Sequence, residues 1–118
     1  MATKFKPILE KLVRDAGLEG AVLTTADGLP VEAVLPANLS EERLAAMSAA
    51  ILSLGERAVY ELDKGHLEQI TVKSEKGYVI VTGIGDEAVL TVMAPADAKL
   101  GLLYLEIRKA AEELAKML

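Results

Sequence analysis

Two apolar stretches separated by one tight turn limit this chain most. Tyr78 to Val81 and Ala88 to Ala94 are almost uninterrupted hydrophobic runs, and Gly83-Ile84-Gly85-Asp86 lies between them. A strand with one wet face alternates, whereas a run apolar at nearly every position is covered on both faces. The pair therefore predicts two central strands of a sheet that carries helices on each side. A further β segment, His66 to Ser74, leads into them across Glu75-Lys76-Gly77. Joints this short make His66–Ser74, Gly77–Thr82 and Glu87–Ala94 an antiparallel meander.

The remaining elements follow from period and punctuation. Phe5, Ile8, Leu9, Leu12 and Val13 make one helical stripe among Lys4, Lys6, Glu10, Lys11, Arg14 and Asp15, and Gly17 ends it. Gly20–Thr25 and Leu29–Leu35 are β-rich runs around Ala26-Asp27-Gly28, a hairpin signal because glycine accepts positive φ. After Pro36, Asn38 or Ser40 caps a long helix that carries Glu41 and Glu42 in its first turn and runs to about Leu62. Asp97 is placed to cap a last helix with Leu100, Leu103, Ile107, Ala111 and Leu114 on one stripe.

The predicted fold is a single α/β (α+β) domain over residues 1–118, with element order αββαβββα. Joining hairpin to meander gives a five-stranded antiparallel sheet of order 2-1-5-4-3, and Pro30 supports an edge position for the second strand.

Composition removes whole classes of function. The 118 residues include no cysteine and no tryptophan, one histidine (His66) and one phenylalanine (Phe5). Thiolate chemistry, disulfides and zinc sites of the His/Cys type lose their ligands, and no cofactor or metal is expected. A formal charge of -5 and 3% aromatic residues leave neither a basic patch nor stacking platforms, so nucleic acid is not an expected partner. The basic opening Met1–Pro7 leads into an amphipathic segment, with no signal peptide and no run of membrane-span length, so a cytoplasmic location without membrane insertion is expected.

Several motifs have simpler readings. Gly83-Ile84-Gly85-Asp86-Glu87-Ala88 matches a G-x-G-x-x-A string but opens a strand, where a dinucleotide fingerprint must open a helix. Asn38-Leu39-Ser40 is a sequon only in a secreted chain. His66 lacks a nucleophile and a supporting acid, and the neighbouring pairs Glu41–Glu42 and Asp86–Glu87 point apart with no apolar pocket to split their pKa values. No catalytic residue is assigned. Arg43 and Arg57 are read as solvated helix arginines in preference to charge-stabilising fingers.

The long helix has more apolar surface than one sheet face requires. Leu44, Met47, Ile51, Ala58, Val59 and Leu62 form a stripe expected to cover the sheet, and Ala45, Ala46, Ala49, Ala50, Leu52 and Leu54 then fall on flanks that a monomer would expose. Small residues such as Ser48, Ala49, Ser53 and Gly55 allow another helix close. The third strand is an edge without proline, guarded only by Glu68 and Lys73, and its free backbone groups can template a second strand. A two-fold pairing of third strands would also bring the long helices together. The expected isologous dimer contact is Ala45, Ala49, Leu52, Gly55 and Glu56 on the helix with Leu67, Gln69, Ile70, Thr71 and Val72 on the strand.

The stretch Gly20-Ala21-Val22-Leu23-Thr24-Thr25-Ala26-Asp27-Gly28-Leu29-Pro30-Val31 and the helix Ala98–Ala111 resemble the first hairpin and last helix of the Roadblock, or dynein-light-chain, family, whose fold is profilin-like. That family includes the bacterial MglB regulators of a Ras-like GTPase. The resemblance implies a homodimer with a shared continuous sheet, without an active site, acting on a small GTPase of the MglA type. The alternatives are an adaptor indifferent to nucleotide state and, less supported, a small-molecule sensor. A GTPase is expected against Ala46, Ala50, Ser53, Arg57 and Tyr60, on the outer side of the paired helices. Some relatives of the MglB type continue into a C-terminal segment that adds GTPase contacts; the sequence here ends at Leu118, so that contribution is expected to be missing.

Overall fold

The computed structural model describes residues 3–118; Met1 and Ala2 lie outside the described residues. Three helices and five strands follow the predicted order: α1 (Lys6–Ala16), β1 (Gly20–Thr25), β2 (Pro30–Val34), α2 (Glu41–Glu61), β3 (Gln69–Ser74), β4 (Gly77–Ile84), β5 (Ala88–Pro95) and α3 (Leu100–Met117). All neighbouring strands are antiparallel, in the order β2-β1-β5-β4-β3.

Local chemistry sets most boundaries. Gly17 ends α1 in the left-handed region at φ 64°, and its N–H returns to the Val13 carbonyl. Ser40 caps α2, its Oγ accepting from the Arg43 N–H at 3.2 Å, while Glu41 and Glu42 sit at the positive end of the helix dipole. Two expectations change. Asp97 does not cap α3; Lys99 occupies that position and no side chain closes the helix start. The third strand begins at Gln69 and not at His66, because His66–Glu68 make no ladder with β4, whose pairing starts at Gln69 opposite Thr82.

Register assigns each residue to a face. Leu23 and Leu90 are cross-strand neighbours on the lower face, as are Ile80, Val92 and Ala21 one row on. With Leu9, Leu12, Leu103, Ile107 and Leu114 from α1 and α3 they form the main core. The upper face carries α2 alone. Beneath it runs the row Ile70, Val81, Thr91, Val22 and Ala33, read across β3, β4, β5, β1 and β2. Two residues further along the strands lies a second upper row, Val72, Val79 and Met93.

Candidate interaction surface

How α2 lies on the sheet determines which of its residues are free. Ala45 and Ser48 are its buried positions, at 0% and 2% exposure. Ser48 Oγ accepts a hydrogen bond from Thr91 Oγ1 at 2.7 Å and donates to the Leu44 carbonyl, also at 2.7 Å. This buried pair holds the helix over the centre of the sheet with both hydroxyls satisfied. Small residues permit the approach. A Cβ added to Gly55 would lie 2.5 Å from Ile70 Cδ1 and 3.1 Å from Leu67 Cδ2, so Gly55 seats both side chains. At the other end Gly28, at φ 96°, turns the β1–β2 hairpin against Ala45, Ala46 and Ala49.

The expected sheet-covering stripe is therefore rotated. Met47 and Leu62, assigned to the sheet, are 54% and 70% exposed, and Leu54 is 71% exposed. The apolar stripe runs down one flank, and the residues against the sheet are the smaller set Ala45, Ser48, Leu52 and Gly55. At about 100° per residue, Leu44, Met47, Ile51, Leu54 and Ala58 fall on the flank opposite the one that meets Gly28. That flank faces the half of the upper sheet where Val72, Val79 and Met93 lie.

Within the single chain, several helix residues expected at a dimer contact already have neighbours. Ala45 is fully buried, Ala49 packs beside Gly28, Gly55 is filled by Ile70 and Leu67, and Leu52 approaches Gly83. Gln69 Nε2 donates to Thr82 Oγ1 at 3.2 Å, and Leu67 is half-buried. Thr71 and Val72 remain exposed on the β3 edge, with Thr71 Oγ1 2.7 Å from the Tyr104 hydroxyl of α3. Glu56 is exposed on the flank away from Leu54. Met47, expected against the sheet, is exposed, as is Leu54, expected on a flank.

Along the outer side of α2, Ala46, Ala50, Ser53, Arg57 and Tyr60 are all exposed, Tyr60 at 81%. Arg57 is paired with Glu61 at 3.1 Å, one turn on. At the opposite edge of the sheet, Glu32 Oε1 accepts from the Thr3 N–H at 2.8 Å and the Thr3 hydroxyl at 3.0 Å, while Lys6 Nζ donates to the Ala33 carbonyl at 2.8 Å. Partial burial pushes the Glu32 carboxyl up, but hydrogen bonds from Thr3 and Ala33 and the Lys6 charge outweigh it and hold the group below its ordinary range.

Residues 4–94 match the Roadblock/LC7 domain, which spans the hairpin, α2 and the meander. The chain belongs to the Roadblock/LC7 family. Among curated proteins, the chain is similar to the uncharacterised protein MJ1340 of Methanocaldococcus jannaschii, at 31% identity over 93% of this chain and 96% of that one. The fold is similar to Myxococcus xanthus MglB, with a TM-score of 0.92 at 23% identity over 98% of this chain and 94% of that chain. A Roadblock/LC7 domain from Streptomyces avermitilis gives 0.87 at 24% identity, over 93% of each chain. No helix among the described residues is long and apolar enough to cross a membrane.

Proposed function

We propose that this Roadblock/LC7 chain is a non-enzymatic homodimer that binds and regulates a Ras-like small GTPase of the MglA type. The observation that carries the self-association is the unfinished upper face. Met47 and Leu54 on α2 and Val72 on β3 are exposed large hydrophobics on the side of the sheet that a single helix covers only in part. Pairing of β3 edges about a two-fold axis would bring a second α2, running the opposite way, over the row Val72, Val79 and Met93. Helix flank would then meet helix flank through Met47, Ile51 and Leu54, with Ile70, Thr71 and Val72 at the strand seam.

The outer ridge of the two helices would form one platform on the axis, and one platform takes one GTPase per dimer. Its small residues Ala46, Ala50 and Ser53 allow close approach, with Tyr60 as an aromatic anchor. Arg57 is engaged with Glu61 on the surface, which favours a role in holding switch segments over insertion of a charge beside the transferred phosphoryl group. Between Gly17 and Gly65, eight acidic residues outweigh three basic ones, which suits a basic surface on the GTPase.

Titration calorimetry with a small GTPase of the MglA type tests the reading. The expected result is tighter binding of the GTP-analogue complex than of the GDP complex, at one GTPase per two chains. Equal affinities would favour an adaptor, since a ligand that does not discriminate two states cannot shift them.

A further inference from the structure

The two edges of the sheet are finished differently. At β3 the side chains of Gln69 and Thr71 bond to those of Thr82 and Tyr104 and not to the edge backbone. At β2 the chain's own side chains close the edge around Ala33, which lies between the paired residues Glu32 and Val34. Lys6 Nζ donates to the Ala33 carbonyl at 2.8 Å, and the Ala33 N–H donates to Glu32 Oε2 at 3.3 Å, so both outward backbone groups of that residue are occupied. The other Glu32 oxygen accepts from the Thr3 N–H and hydroxyl. The Thr3 hydroxyl in turn accepts from the Phe5 N–H at 3.1 Å, which ties the clamp to the start of α1.

Behind this clamp lies Val31-Glu32-Ala33-Val34-Leu35, bounded by Pro30 and Pro36. Apart from Glu32, its one charge, the segment has the composition of a strand that pairs with itself. Neither proline offers an N–H, so the pairing stretch runs from Val31 to Leu35 and Ala33 is its midpoint. Antiparallel pairing of two copies about a two-fold axis at Ala33 would set Val31 against Leu35 of the second copy and exchange N–H···O=C bonds between the two Ala33 residues. Those are the groups that Lys6 and Glu32 hold, through charge-assisted bonds that a neutral strand cannot match. We propose that Thr3, Lys6 and Glu32 form a latch that keeps β2 from pairing with the β2 of a second copy. With this edge latched, strand pairing between chains is confined to β3; with both edges open, it would run on as a filament. The inference stands on β2 alone and does not require pairing at β3.

Sedimentation velocity on Lys6→Met combined with Glu32→Val tests the latch, since one charge of each sign is removed and the net charge stays at -5. The weight-average mass at micromolar concentration should rise at least about twofold over wild type, whatever the wild-type mass, because each chain gains a pairing edge. Adding Ala33→Pro should return the mass to the wild-type value. At an edge position with its N–H turned outward, proline removes the pairing donor without costing a bond to β1. Helical circular dichroism establishes that each variant is folded. Should Glu32→Val cost the fold, Lys6→Met with Glu32→Gln, which keeps an acceptor for Thr3, should give the same rise. The wild-type mass in a folded latch variant, or a rise that survives Ala33→Pro, would overturn the proposal. A monomeric wild type whose latch variant dimerises would count against pairing at β3 and support the latch.

Discussion

Beneath the sheet, α1 and α3 close over leucines and isoleucines, and Leu9, Leu23, Leu90, Ile107 and Leu114 have essentially no exposed surface. Above it α2 rests on Ala45 and Ser48, and the buried strand residues there are Val22, Val81, Val89, Thr24 and Thr91. The lower face is finished within one chain by large side chains. The upper face is thinner, is aligned by a hydroxyl pair, and leaves its large apolar residues on the helix flank. A face built this way orients a helix accurately while leaving hydrophobic surface for a second body.

The contrast is broken most directly by removing volume below. Leu114→Ala should cost about 2–5 kcal/mol in chemical denaturation at fixed protein concentration, since it opens a cavity in a filled core. Leu54→Ala should change the stability of the dissociated chain by less than about 0.5 kcal/mol. Equal losses at the two sites would mean that the faces do not differ.

A smaller effect sharpens the account of the upper face. Ser48→Ala leaves the buried Thr91 hydroxyl without its acceptor and should cost about 1–3 kcal/mol. Combining it with Thr91→Val removes both polar groups and should recover most of that loss, as measured in a double-mutant cycle. A double variant as unstable as the sum of the singles would show that the pair does not act as a unit.

The smallest effect is expected at the β2 edge, away from both helical contacts. The folded-state pKa of Glu32 lies below its unfolded value. Its contribution is therefore complete above the unfolded pKa and is lost as pH falls through the lowered folded value. The thermal midpoint of Glu32→Gln should lie below wild type at about pH 6, and the gap should close as pH falls through the lowered folded-state pKa. A pH-independent gap would argue against the carboxylate clamp on Thr3.

Element order, strand order and the lower core were legible because each rests on a local signal: the unbroken apolar runs of β4 and β5, the Asp27-Gly28 turn, and the period of α1 and α3. The orientation of α2 was not. The apolar stripe expected on the sheet, Leu44, Met47, Ile51, Ala58, Val59 and Leu62, reads as the buried face by hydrophobicity alone. Over the row Val22, Thr91 and Val81 the positions turned inward are instead Ala45 and Ser48, the latter accepting the Thr91 hydroxyl. Period specifies that a helix is two-faced; the size of the opposing side chains decides which face goes down. Asp97 shows the same limit at a boundary, since a capping residue type two positions early satisfies the pattern and misses the helix start.

In the proposed dimer a second copy of the chain completes the upper face through the Met47–Leu54 flank and the β3 edge. Sedimentation velocity at micromolar concentration tests it, comparing wild type with Met47→Glu combined with Leu54→Glu. Both side chains are exposed in the single chain, so the variant should retain its helical circular dichroism. The account predicts a wild-type dimer and a folded monomeric variant, because two charges per chain would be forced into an apolar contact. A wild-type monomer throughout that range, or a variant that remains dimeric, would contradict it.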